Sequence, residues 1–151
     1  MEKFDLPAFD CRFRRKGEKT HIFDRIRKKY VPLTAEEWVR QHCVHYLITH
    51  RHYPSSLIEV EKQIEGMQKR CDILIYGPDY RPLMLVECKA SRCPLGREIL
   101  EQVVAYNWHC IPYLLFTNGK QHFCFKFEPT KGSYRQLPAI PSFAAVTRGK
   151  P

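Results

Sequence analysis

The sequence predicts an α/β fold: a single mixed β-sheet flanked by helices, with a basic β-hairpin ahead of it. Strand candidates recur at 57–64, 71–76, 83–90, 111–117 and 121–128. Two longer stretches, 34–50 and 95–109, instead carry apolar residues at helical spacing. The resulting order of hairpin, helix, three strands, helix and two strands is an α/β pattern. With 151 residues the chain has the length of one ordinary domain, read as a basic hairpin and connector (9–31), a core (34–128) and an extended tail (129–151).

Residues 9–24 alternate and turn around Lys16-Gly17-Glu18, which makes a short hairpin with Arg12, Arg14 and Lys16 on one face. Thr34 with Glu37 three residues on, after Pro32, is a capping-box signature, and Trp38, Val39, Cys43, Tyr46 and Leu47 form the apolar stripe of the helix that follows. A Tyr53-Pro54-Ser55 turn precedes strands Leu57–Ile64, Cys71–Tyr76 and Leu83–Ala90, the last two separated by Gly77-Pro78-Asp79. After Pro94, Leu95, Ile99, Gln102, Val103 and Tyr106 share one helical face, so a polar glutamine interrupts an apolar stripe. Asn118-Gly119, between Ile111–Thr117 and Gln121–Glu128, is a strong hairpin signal. Beyond Pro129, Gly132, Pro138, Pro141, Gly149 and Pro151 predict an extended segment anchored by Leu137, Ile140 and Phe143.

Lys and Arg number 25 against 16 acidic residues, a formal net charge of +9 that points to a polyanionic partner. Nine of those cations, Arg12, Arg14, Arg15, Lys16, Lys19, Arg25, Arg27, Lys28 and Lys29, fall between Cys11 and Val31 with only two acids. A solubilising surface is one reading of this run. Contact with nucleic-acid phosphates is the other, favoured because the charge sits on a hairpin rather than in a loose tail. No apolar run approaches the roughly 18 residues that span a bilayer, and the N-terminus lacks the apolar centre of a signal peptide, so a cytoplasmic location without a membrane partner is expected. The seven cysteines show no CxxC pair, and His42, His45, Cys43 and Cys88/Cys93 lack the paired spacing of structural zinc sites. Reduced, mostly core thiols are expected.

The chemistry concentrates at Asp72, heading one strand, and Glu87-Cys88-Lys89, ending the next. Alone, Glu-x-Lys means little: 11 Glu and 12 Lys in this length yield about one match by chance. Context discriminates. Glu87 and Lys89 alternate with Cys88 at the end of the apolar run Leu-Met-Leu-Val, and an antiparallel pairing with Tyr76 opposite Leu83 puts Asp72 opposite Glu87. Two half-buried carboxylates so close repel unless a proton or cation lies between them. Oxygen ligands favour Mg²⁺ (or Mn²⁺), with the Cys88 carbonyl as a third donor and Lys89 placed to orient or deprotonate a water and offset phosphate charge. The competing reading pairs Asp72 and Glu87 with Lys89 or Arg70 at a sheet edge, with no metal.

Asp72, then Glu87-Cys88-Lys89, then Gln102-Val103-Val104-Ala105-Tyr106 resemble the D, E-x-K and Q-x-x-x-Y motifs of the PD-(D/E)XK nuclease superfamily. More narrowly, Glu36-Glu37-Trp38-Val39-Arg40-Gln41, Val86-Glu87-Cys88-Lys89-Ala90 and Thr117-Asn118-Gly119 look like the N-terminal nuclease domain of type I restriction enzyme R subunits, over roughly residues 20 to 128. The resemblance implies a restriction-endonuclease-like fold and Mg²⁺-dependent cleavage of DNA. It makes Asp72 and Glu87 metal ligands and Lys89 catalytic, with Gln102 and Tyr106 steadying the site or touching DNA. A helix glutamate often completes such sites; Glu37 is the candidate, with a plain capping role as its alternative. Cys71 stands where the motif has proline. The R subunit also has a helicase motor, but Gly119-Lys120 runs into Gln121 without a Walker A loop, so no ATP use is expected here. A non-catalytic nucleic-acid-binding or adaptor module on the same fold is the alternative function. A homodimer, or restriction or repair partners, would be in keeping with a substrate that has two strands.

Overall fold

The computed structural model describes residues 3–66, 70–107 and 110–148. The last two residues of the expected second helix, 108 and 109, and the end of the tail, 149–151, lie outside them. Among the described residues no helix is long and apolar enough to cross a membrane.

Six strands form the main sheet in the order β4 (Ile58–Lys62), β5 (Cys71–Tyr76), β6 (Pro82–Cys88), β7 (Tyr113–Thr117), β8 (His122–Glu128) and β9 (Ser133–Leu137). Every neighbouring pair is antiparallel except β6 and β7, which run parallel. Parallel neighbours need a crossover, and α2 (Glu98–Asn107) supplies it. The basic segment folds as a separate antiparallel sheet of three strands, β1 (Phe13–Lys16), β2 (Lys19–Asp24) and β3 (Lys29–Pro32). The expected hairpin is therefore the first two-thirds of a meander, closed by a strand of only four residues. The tail is also more structured than expected: β9 hydrogen-bonds to β8 as the sheet edge, and Ser142 caps a short helix, α3 (Phe143–Thr147).

Helices cover both faces of the sheet, so the central strands are apolar on both sides. On one face α1 (Ala35–Thr49) packs Val39, Cys43, Val44 and Leu47 against Ile73, Met84, Val86 and Leu115. On the other, Leu95, Ile99 and Tyr106 meet Leu74, Leu85, Leu114 and Phe116. Alternation along β6 thus sends Met84, Val86 and Cys88 towards α1 and Leu85 towards α2. Leu83 joins the α1 side because a bulge between Ile75 and Tyr76 sets Tyr76 opposite Pro82, where pairing with Leu83 was expected. Farther along, Ile73 pairs with Val86, the register that carries Asp72 towards Glu87.

Local chemistry explains the element ends. The Thr34 hydroxyl accepts the Glu37 N–H at 3.0 Å and starts α1. The β7–β8 connection has four residues, because the Asn118 carboxamide oxygen accepts the N–H groups of Lys120 and Gln121 and widens the turn. Gly119 has φ +89°, and a Cβ there would sit 2.8 Å from the Phe4 ring, so the N-terminal segment packs where only glycine fits.

His45 on α1 stacks on Phe9 with ring centroids 4.0 Å apart, and its Nδ1 lies 3.4 Å from Arg25. Burial first, then the Arg25 charge and His42, push its pKa down to about 4, against a weaker opposing pull from Asp24. The folded protein keeps this ring neutral, whereas the unfolded chain protonates it below about pH 6.5, so acidification from there towards pH 4 should cost stability. Because the ring is only half buried, we expect about 1 kcal/mol between pH 7 and 5. Urea unfolding at the two pH values should show the loss, and His45→Gln should reduce it; an unchanged pH dependence in that variant would refute the assignment.

Candidate active site

The site forms where β5 begins, β6 ends and the first turns of α1 approach. Asp72 is largely buried, with a side chain 13% exposed. Its Oδ2 accepts the Cys88 N–H at 2.8 Å, extending the β5–β6 pairing by a side-chain link. Its Oδ1 lies 3.6 Å from Nη1 of Arg40, and its carboxylate also takes a hydrogen bond from Glu36. Burial, then the Asp72 charge and this hydrogen bond, raise the Glu36 carboxyl above its ordinary range, while Lys89 and Arg40 pull the other way. Two neighbouring acids beside two cations is the arrangement expected of carboxylates forced together.

Glu87 is 3% exposed and faces α2, where the Tyr106 hydroxyl donates to its Oε1 at 3.0 Å. Burial and this carboxylate push the Tyr106 phenol well above its ordinary pKa, keeping it a donor. The Cys88 thiol turns the other way to hydrogen-bond Cys43 in the α1-side core, which together with burial raises its pKa well above the ordinary value. Any role for Cys88 at the site therefore falls to its backbone. Lys89 does not continue the Glu87 face: β6 ends at Cys88, the Lys89 N–H bonds the Thr117 carbonyl at 2.9 Å, and the residue lines an open cleft. That cleft, of about 510 Å³, also holds Thr34, Glu36, Arg40 and Arg92.

Gln102 is half-buried one turn before Tyr106, and no hydrogen bond ties it to Asp72, Glu87 or Lys89 among the described residues. Glu37 turns away from Asp72. Its Oε1 accepts from Arg27 at 2.8 Å and Arg40 at 3.1 Å, and its Oε2 from Arg40 and Gln41, both at 3.1 Å. Adjacent positions on a helix point about 100° apart, so only one of Glu36 and Glu37 can meet β5, and it is Glu36.

Two participants, Glu36 and Arg40, were not anticipated. Their separation of four residues places them on one side of α1, a signal present in the sequence. Arg40 is 6% exposed and its Nη1, directed at Asp72, is a buried nitrogen without a hydrogen bond.

The basic residues divide as clearly. Arg27 is not offered to phosphates: it bridges Asp24 at 2.7 Å and Glu37 at 2.8 Å, and reaches Glu61 at 3.4 Å. Arg25 leans on His45. Arg12, Arg14, Arg15, Lys16, Lys19, Lys28 and Lys29 are exposed, with Arg15 donating weakly to the Glu18 carbonyl at 3.4 Å.

Among the described residues no three His, Cys, Asp or Glu side chains converge as ligands for a metal ion, the kind of cage a structural zinc ion would use. Mg²⁺ asks less, because it keeps several waters and takes one or two carboxylates. The neighbouring carboxylates of Asp72 and Glu36 fit such an ion.

Residues 35–141 match the family model described as type I restriction enzyme R protein N terminus, HSDR_N. No curated protein matches the chain significantly. Among solved structures, the chain is similar in fold to a fragment described as an HsdR subunit of a type I restriction enzyme from Vibrio vulnificus YJ016, with a TM-score of 0.54 and 20% identity. That match covers 77% of this chain and 25% of the other, so the chain spans about a quarter of the length of that fragment.

Proposed function

Because the chain belongs to the family of type I restriction enzyme R protein N-terminal domains, we propose that it is a Mg²⁺-dependent DNA endonuclease domain of the PD-(D/E)XK kind. The observation that carries this reading is Asp72, 3.6 Å from Arg40 and next to Glu36, where Glu36, Arg40 and Lys89 line an open cleft. Asp72 and Glu87, with the Cys88 carbonyl, would hold Mg²⁺ or Mn²⁺, and Glu36 beside Asp72 would be a further oxygen donor. When bound, the ion would neutralise phosphate charge and make a water more acidic.

The chain's own residues prepare the rest. Arg40 holds Asp72 from behind, and the Cys88 N–H fixes the orientation of its carboxylate. Tyr106 does the same for Glu87 from α2. Lys89, which lines the cleft, would orient the attacking water and offset charge growing on the phosphate. Gln102, on the same helix as Tyr106, would meet DNA or steady the site once substrate is present. DNA is the partner this reading requires, with the other subunits of a restriction system as further candidates.

Supercoiled plasmid incubated with the protein and Mg²⁺ or Mn²⁺ should be nicked. Lys89→Ala should slow nicking by about 100-fold or more, the usual scale for a group acting on a proton or developing charge. Binding without cleavage in either metal would instead assign a non-catalytic DNA-binding module. Nicking that survives in Lys89→Ala would remove Lys89 from the chemistry.

A further inference from the structure

The meander β1–β3 precedes residues 35–141, the part the family matches, so its role rests on its own surface. β2 alternates in the usual way. Ile22 and its partner Val31 are buried, whereas Phe23 and its partner Tyr30 belong to the opposite face, with His21 and its partner Arg14. Arg12 continues this ladder through its carbonyl, which accepts the Phe23 N–H at 2.9 Å. The guanidinium of Arg12 sits 3.9 Å over the Phe23 ring, and that of Arg14 sits 4.1 Å over the Tyr30 ring.

Neither arginine has a carboxylate within salt-bridge distance among the described residues, in contrast to Arg27 and Arg40. A groove of about 420 Å³ runs along this face, lined by Arg14, Lys16, His21, Phe23, Lys28 and Tyr30 among others, and no acidic residue lines it. The fold has therefore sorted the charge of this segment. Some cations are neutralised in the interior, and others are held on aromatic supports facing solvent.

We propose that this face is a binding site for the sugar-phosphate backbone of duplex DNA, gripped by the forks of Arg12 and Arg14 with Lys16 and Lys28 alongside. A guanidinium resting on a ring keeps its N–H edges open for a phosphate and loses less freedom on binding than one waving in water. Arg12 and Arg14 are two residues apart on one ladder, roughly 6.8 Å by strand geometry, a spacing comparable to that of successive phosphates along one strand. Single strands are held differently, by bases stacking on open aromatic faces, and here the outward ring faces are already covered by arginine. The site shares with the nuclease reading only the choice of DNA, and it needs neither metal nor Lys89.

The test is binding of a 30-base-pair DNA duplex, of its single strands and of the equivalent RNA duplex to the full chain, in EDTA, across a salt gradient. The DNA duplex should bind best, with an affinity that falls steeply with salt. Arg12→Ala/Arg14→Ala should weaken it at least tenfold and reduce the salt slope by about 1.8, the value for two lost phosphate contacts. Arg81→Ala/Lys126→Ala removes the same charge from exposed positions on other strands and turns, and should leave the slope unchanged. Phe23→Leu/Tyr30→Leu should weaken binding while keeping every charge. Equal losses in the two charge-matched variants would overturn the site, and so would tighter binding of single strands or RNA. Duplex binding that depends on Arg12 and Arg14 in a protein that nicks nothing would leave this site standing and refute only the nuclease reading; nicking indifferent to both arginines would do the reverse.

Discussion

Replacing Asp72 by asparagine should lower metal-dependent nicking by about a thousandfold or more, equivalent to roughly 4 kcal/mol of transition-state stabilisation. The variant isolates charge from shape. Asparagine can still accept the Cys88 N–H that Asp72 accepts at 2.8 Å, so the end of the β5–β6 pairing should survive. What disappears is the negative charge that Arg40 faces at 3.6 Å and that raises the Glu36 carboxyl. Thermal unfolding gives an independent readout, since a ligand that binds only the folded chain raises its melting temperature. Saturating Mg²⁺ should raise it in the natural protein and not in Asp72→Asn. A variant that keeps more than a tenth of the nicking rate and the full metal-induced shift would remove Asp72 from the site.

The second large effect is on stability. Glu37→Ala should cost about 3–5 kcal/mol, because removing one partner from a buried ionic network leaves uncompensated charge in the interior. Glu37 accepts from Arg27, Arg40 and Gln41, and Arg40 itself is 6% exposed, so water cannot readily replace the lost carboxylate. For a chain of this size the melting temperature should drop by about 6–20 °C. Glu37→Gln, which keeps an acceptor of the same shape, should lose less. A loss under about 1 kcal/mol in Glu37→Ala would show that Glu61 and Asp72, which also face Arg40, suffice to hold the network. The network also reaches the site: Arg40 touches Glu37 with one edge and Asp72 with the other, so weakening it should also loosen Asp72.

Much of the core was legible because it follows from short-range periodicity. Strand β5 begins and ends where the apolar run at Cys71–Tyr76 does, and α1 starts at the Thr34 cap. The edge strands were less legible. Ser133–Leu137 has no alternating pattern of its own, and it becomes a strand by borrowing the free edge of β8. Lys29–Pro32 likewise completes the meander through pairing with β2, although a charge run announced only a hairpin. Asp72, Glu87 and Tyr106 were visible as motif residues. Glu36 was hidden by its neighbour, because the capping-box pattern drew notice to Glu37. Arg27 looked like every other cation in its segment until Asp24 and Glu37 were found around it.

The sequence by itself determined the order of the core helices and strands between residues 34 and 128, the apolar character of the central strands, and the chain positions of the aspartate, glutamate and lysine. Those features depend on residue type and on spacings of two or three to four along the chain, which every local segment carries within itself. Tertiary structure alone decided which acid meets Asp72, on which side of β6 Lys89 emerges, and which arginines remain free to meet a phosphate. Such choices turn on a bulge, a strand end and ångström-scale distances between segments far apart in the chain, where the energy of a charge is set by burial and by the partner that folding brings to it.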